Sequence, residues 1–380
     1  MERHVLTLDE ADCRRRTSIK WQHHDSDVLP LWVAEMDVLP APAIAEELLR
    51  VVRDGDLGYP VARTYLEAVA RWYERWGARV DPARMALATD AMSGVKGAII
   101  ALTEPDDPVY ITVPVYPPFH SIAVAAGRRL VTVPLGADGR YDVAALSQAF
   151  ASAPGRGVLL LSNPHNPTGV VPTRAELSAV ARTASQHGVR VVSDEVHAPL
   201  VLPGAQFTPF LCVPEGAGAL SVISPAKGWN LAGLKAAAVV GGPEAGAAVR
   251  RVPPDLAYTA SHVGVRAHIA AMDHGQEWLA DLVDDLAANR SLLRSLLDDH
   301  LPDVVWRPGE ATYLAWLDCR GLGLGDDPAQ HFLREGRVAL NPGLPFGAGR
   351  GHVRLNFAAS PAVLTEAVRR MGASLEGSPS

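Results

Sequence analysis

Between about residues 42 and 241, short apolar runs at 109–113, 130–133, 158–161, 189–192, 220–223 and 236–240 alternate with stretches of helical periodicity. No other feature constrains the chain as strongly. Strands buried on both faces read as continuous Val/Ile/Leu runs, and helices between them imply parallel crossovers. The expected fold class is α/β, a mostly parallel sheet between helices, with ligands lying beyond the carboxyl ends of the strands. Leu66, Val69, Ala70, Tyr73 and Trp76 mark one face of an amphipathic helix. A helix over 94–102 reads as opened by Ser93, and Thr173 with Glu176 forms a capping box ahead of the strand at 189–192.

Past Arg266 the pattern changes. A long helix near 276–299 carries Leu279, Leu282, Val283, Leu286, Leu293 and Leu297 on one side. Strands at 312–316 and 353–357 and a closing helix near 361–371 predict a smaller α+β unit. A chain of 380 residues exceeds what one core usually supports. The expected division is a large domain over 42–270 and a small domain over 271–380, with segment 1–41 packing on the small one.

Charge and cysteines narrow the partners. A formal net charge of −7 gives no basic footprint, which argues against nucleic acid and anionic membranes. Cys13, Cys212 and Cys319 are odd in number and far apart, which argues against a disulfide framework and for a reducing compartment. The charged N-terminus has no apolar core of a secretory signal, and the apolar stretches are too short to span a bilayer. A cytoplasmic protein is expected. His23 and His24 are adjacent, the wrong spacing for two ligands on one helix face, so no metal site is expected. The glycine patterns at 321–325 and 347–351 lack a strand-to-helix context and read as turns.

Polar residues gather where ligands are expected. Asn163-Pro164-His165-Asn166-Pro167-Thr168-Gly169 follows one apolar run, Ser193-Asp194-Glu195-Val196-His197 another, and Ser224-Pro225-Ala226-Lys227 a third. Three consecutive strand ends thus deliver an amide, a carboxylate and an amine to one rim. They could form a plain ion pair, or a site that holds an aldehyde cofactor covalently through lysine.

With these motifs, the chain resembles a fold-type I pyridoxal-phosphate (PLP) enzyme of the class I/II aminotransferase superfamily. Within it the chain is similar to the MalY/PatB-type cystathionine β-lyase branch. The features are W-V-A-E-M-D at 32–37, Gly58-Tyr59, P-V-Y-P-P-F at 114–119, the G-W-N-L-A-G-L-K that follows Lys227, and V-R-L-N at 353–356. The matches keep family order from Trp32 to Asn356. The resemblance implies a seven-stranded sheet in the large domain and a homodimer.

It also implies roles. Lys227 would bond the cofactor aldehyde and, once released by substrate, serve as the base at Cα. Asp194 would pair with the pyridinium nitrogen. Asn166 would hydrogen-bond the phenolic oxygen, with His197 near the same side, and Tyr116 would stack on the ring. Backbone amides at Met92, Ser93 and Gly94 would cradle the phosphate, joined by Ser224 and Lys235. Arg354 would fork onto the substrate carboxylate, with Asn166 and the backbone at Ala34 nearby. Tyr59 would reach the phosphate of a neighbouring subunit. Read without the resemblance, His197 could be a structural histidine, Tyr59 a core tyrosine and Arg354 a partner of a local carboxylate.

Two positions depart from the branch. Ala226 stands where Ser usually precedes the lysine, and 91–95 differs from the commoner Pro-Gly-Val type of phosphate loop. The implied reaction is PLP-dependent β-elimination on cystathionine or a cysteine S-conjugate, giving a thiol, pyruvate and ammonia. The rivals are an aminotransferase acting on an α-amino acid, which shares Lys227, Asp194 and Arg354, and a PLP-binding regulatory protein without turnover.

Overall fold

The structure is a computed structural model that describes residues 4–152 and 157–376. Its centre is a seven-stranded sheet. In spatial order the strands are Met85–Ala88, Ala237–Gly241, Leu220–Ile223, Arg190–Asp194, Val158–Ser162, Pro108–Val113 and Arg129–Pro134. Ala237–Gly241 runs antiparallel to both its neighbours, and the other pairs are parallel. The edge strand Met85–Ala88 escaped the sequence reading because four residues, Met-Ala-Leu-Ala, carry no β-branched signal.

Period-two alternation divides the sheet's side chains between two cores. Val109, Ile111, Val158, Leu160 and Val192 pack on one face with Val95 and Ile99. Tyr110, Leu159, Leu161 and Val191 pack on the other with Leu177 and Val180. Both faces are covered, which explains why the strands read as unbroken apolar runs.

The capping box at Thr173 and Glu176 is present and opens the helix Arg174–Gln186. The helix expected to open at Ser93 instead spans Ala91–Leu102, capped by Asp90, whose side chain accepts from the Ser93 amide. The correction has a plain cause: Asp is as good an N-cap as Ser, and it stands one turn earlier.

Toward the C-terminus, the helix Gln276–His300 packs on the helix Pro361–Glu376. A four-stranded antiparallel sheet sits beside them, centred on Leu314–Asp318 and His352–Asn356. The first of these begins two residues later than expected. Thr312 has φ +72°, a left-handed conformation that a β-branched residue adopts only under constraint and that cannot continue a strand.

The N-terminal segment is tied down near the C-terminal sheet. Leu29–Pro30 pairs in parallel with Val338–Ala339. The Asn356 amide donates to the carbonyls of Val33 at 2.8 Å and Glu35 at 2.6 Å. Asn230 brackets Met36 from the other side, accepting from its amide and donating to its carbonyl. Residues 33–36 are therefore clamped between two asparagines far apart in sequence. Among the described residues, no helix is long and apolar enough to cross a membrane.

Candidate active site

The carboxyl ends of Val158–Ser162, Arg190–Asp194 and Leu220–Ile223 point the same way, because those strands are parallel. Backbone bonds stitch the three ends together: Asn163 N donates to Asp194 O at 2.8 Å, and Glu195 N to Val222 O at 2.8 Å. A cavity opens above this rim. Its wall includes Ala34, Tyr116, Asn166, Asp194, His197, Ser224 and Lys227, and at one end Met92 and Lys235. Residues from seven separate parts of the chain meet here, as the rule for parallel sheets requires.

The ionisable groups are shifted in ways that suit chemistry near neutrality. Burial pushes the Asp194 carboxyl up to about 6, although the Val196 amide and the Lys227 charge pull the other way. Burial and then the nearby Arg354 charge lower the Lys227 amine to about 8. Its Nζ donates to the Ala34 carbonyl at 2.9 Å, and the Tyr313 hydroxyl donates to the same oxygen at 3.0 Å. His197 is driven down to about 3 by burial, then by the Lys227 and Arg354 charges, so it is neutral. The Tyr116 phenol is raised by burial and so is protonated.

Arg354 is buried on the strand His352–Asn356 and held on three sides. It donates to Asn166 Oδ1 at 3.2 Å and to the Trp32 carbonyl at 3.3 Å, and its guanidinium lies 5.1 Å from the centre of the Phe346 ring. No carboxylate pairs with it among the described ion pairs, so the local-salt-bridge reading of Arg354 fails. Its Nε is buried without a partner, as is the Nδ1 of His197. Unpartnered buried polar atoms are costly, about 1–3 kcal/mol each, and bound polar ligands commonly satisfy them.

The phosphate end differs from the expected set. Met92 lines the cavity, and so does Ala91, which the sequence reading did not single out. The Ser93 and Gly94 amides are engaged by Asp90, through its side chain at 2.8 Å and its carbonyl at 2.9 Å. Gly94 has another use here: a Cβ on it would lie 3.1 Å from a Val222 methyl, so glycine lets this helix sit close on the sheet. Ser224 is on the wall, but its hydroxyl donates to the Ala236 carbonyl at 2.8 Å. Lys235 Nζ lies 3.1 Å from Asp90 Oδ2.

Tyr59 is 83% exposed and outside the cavity, which removes the core-tyrosine reading. Neither Asp37 nor Tyr258 lines the cavity. Asp37 is buried in a pair with Lys20 and bonded by Trp21, and Tyr258 is exposed. Sequence reasoning passed over Tyr313 and Asp90. Nothing local marks Tyr313, but Asp90 was legible as an N-cap before an apolar helix.

The donor set suits an aldehyde- and phosphate-bearing pyridine cofactor. An amine of lowered basicity, a buried carboxylate, a flat aromatic, and a lysine together with the first residues of a helix lie round one cavity.

Comparison with known proteins agrees with this geometry. A Mycobacterium leprae protein provisionally named cystathionine beta-lyase is 48% identical over 392 residues, covering 97% of each chain. The cystathionine beta-lyase PatB of Bacillus subtilis is 33% identical, covering 97% of this chain and all of that one. A Corynebacterium diphtheriae crystal structure, provisionally described as a PLP-dependent beta-cystathionase, superposes with a TM-score of 0.93 at 32% identity. It covers 99% of this chain and 100% of that one. The family model for aminotransferase class I and II matches residues 26–371, and the chain belongs to that family.

Proposed function

We propose that the chain is a PLP-dependent carbon–sulfur lyase. It would convert cystathionine or another cysteine S-conjugate, with water, into a thiol, pyruvate and ammonia. The observation that carries the reading is the single cavity joining the Lys227 amine, the buried Asp194 carboxylate and the Asn166 carboxamide that touches Arg354. The names of the relatives choose the lyase within the family.

Lys227 would hold the cofactor by its aldehyde, Asp194 by its ring nitrogen, and Asn166 by its phenolic oxygen, with His197 beside it and Tyr116 against the ring. The Met92 amide, Ser224 and Lys235 would take the phosphate. When bound, the cofactor supplies an electron sink for the charge left at Cα. Asp194 keeps a proton on the ring nitrogen, because a buried carboxylate favours a cationic partner. Arg354 receives the substrate carboxylate and turns the Cα–H bond toward Lys227, whose lowered basicity suits an amine that must take up and return a proton near neutral pH. The clamped Ala34 segment closes the remaining side.

The architecture supports a large domain over 42–270, a small one over 271–380 and an N-terminal segment docked on the latter. A homodimer fits the exposed apolar set Leu39, Leu57, Tyr59 and Val61, with Tyr59 reaching the neighbour's phosphate end. Three unpaired cysteines fit a cytoplasmic setting.

The deciding experiment gives purified protein and PLP either L-cystathionine or an S-alkyl cysteine, with no keto acid. Pyruvate and free thiol accumulating over many turnovers are expected. A single turnover that stops at the pyridoxamine form, and restarts on adding keto acid, would make the protein an aminotransferase instead.

A further inference from the structure

We propose that Asp90 is an internal anion competing with the cofactor phosphate for its own binding groups, and that its charge thereby sets how tightly the cofactor is held. The inference rests on the cofactor reading of this cavity. Two groups suited to a phosphate, the Lys235 ammonium and a first-turn amide of the helix Ala91–Leu102, are both taken by one carboxylate. Asp90 Oδ2 lies 3.1 Å from Lys235 Nζ, and Oδ1 accepts from Ser93 N at 2.8 Å.

Asp90 itself lines the cavity, together with Ala91, Met92 and Lys235. Gly94 N makes the helix's first backbone bond, to the Asp90 carbonyl, so of the first-turn amides Ala91 and Met92 are the ones left for a ligand. The positive end of this helix, which favours an anion, is thus occupied in part by the chain's own side chain. Burial works against the Asp90 charge, yet the Ser93 amide and the Lys235 ammonium hold its carboxyl below the usual carboxylate range, so it is ionised at neutral pH.

An ionised carboxylate beside an incoming phosphate acts in two ways with the same sign. It repels the phosphate, and it lowers the share of the Lys235 charge available to it. Asp90 is a positioning residue in this account, acting through Lys235 and the helix terminus. Its retention has a clear structural reason, since it is the N-cap of a helix packed closely on the sheet. The same side chain serves the fold and opposes the ligand.

Asp90→Asn separates the two, because Asn is an equally good N-cap without the charge. The test measures equilibrium binding of PLP, of pyridoxal lacking the phosphate, and of inorganic phosphate to cofactor-stripped protein. In the variant, PLP and inorganic phosphate are expected to bind about 3- to 10-fold more tightly at low salt, with the gain shrinking as salt rises. Pyridoxal affinity is expected to stay within about 2-fold, since it presents no phosphate to repel. Unchanged or weaker PLP binding in the variant overturns the proposal, as does an equal gain for pyridoxal. Asp90→Ser, also an N-cap, supplies the same comparison if the first variant folds poorly. Failure of the unmodified protein to bind PLP at all would instead overturn the cofactor reading.

Discussion

The Lys227 amine donates to the backbone carbonyl of Ala34, 193 residues away in sequence, at 2.9 Å. That oxygen belongs to the segment clamped by Asn356 and Asn230, so the N-terminal strap fixes the resting position of the amine. Among the described ion pairs, none joins the lysine to Asp194. Its charge is opposed by burial and by Arg354 and is weakly favoured by Glu35 and Asp194.

This sets the pH dependence of cofactor attachment. The amine must be unprotonated to attack an aldehyde, and its value is lowered to about 8, so the rate of PLP attachment to stripped protein is expected to rise through that pH. Arg354→Met removes a lowering charge and must therefore move the midpoint to more alkaline pH. Stopped-flow absorbance over a pH series checks both. Lys227→Ala is expected to lose covalent attachment altogether; a borohydride-reducible adduct in that variant would sink the assignment.

Asp194→Asn should trade activity for stability. The folded carboxyl titrates at about 6, against about 3.9 in an unfolded chain, so the native state favours the protonated form. The native-state advantage of that proton is fully present below about pH 4 and is lost as pH rises through about 6. An amide mimics the protonated acid. Cofactor-free Asp194→Asn is therefore expected to be more stable by about 1–3 kcal/mol above pH 6 and no different below pH 4. Its turnover is expected to fall by about 100-fold or more, since an amide cannot hold a proton on the ring nitrogen. Urea melts at pH 4 and 7.5, with steady-state rates, decide it.

Arg354→Lys keeps a charge but loses the fork that meets a carboxylate in two places. With Asn166 and Trp32 placed for a guanidinium, the ammonium cannot reproduce both contacts. We expect KM for an amino-acid substrate to rise about 10- to 100-fold, with a smaller loss in kcat. An unchanged KM would remove Arg354 from the substrate site.

Asn356→Leu tests the strap. It strips hydrogen bonds from the Val33 and Glu35 carbonyls and from the Ala358 amide, all near a buried turn. A loss of about 2–4 kcal/mol is expected in denaturant melts, together with a higher KM as Ala34 loosens. Loss of stability with unaltered KM would mean that the strap only supports the fold.

Tyr59 can be tested by mixing. If it serves the neighbour's site, Tyr59→Ala and Lys227→Ala subunits, each weak or inactive at limiting PLP, should together regain roughly a quarter of the activity, because half the dimers carry one intact site. No recovery on mixing would return Tyr59 to its own subunit or to no role.

Much of this was readable along the chain. Unbroken apolar strands such as Val158–Ser162 announce burial on both faces, and the polar residues after them follow from where parallel strands end, a matter of local order. Lys227, Asp194 and Asn166 are legible for that reason. What the sequence alone did not decide depends on contacts between distant residues. Whether the Ser93 amide is free for a ligand turns on where the Asp90 side chain points, and that side chain also meets Lys235, 145 residues later. Tyr313 meets Ala34 across 279 positions. Periodicity and strand ends are written in neighbouring residues; the partner of a side chain is set by packing, which no local pattern encodes.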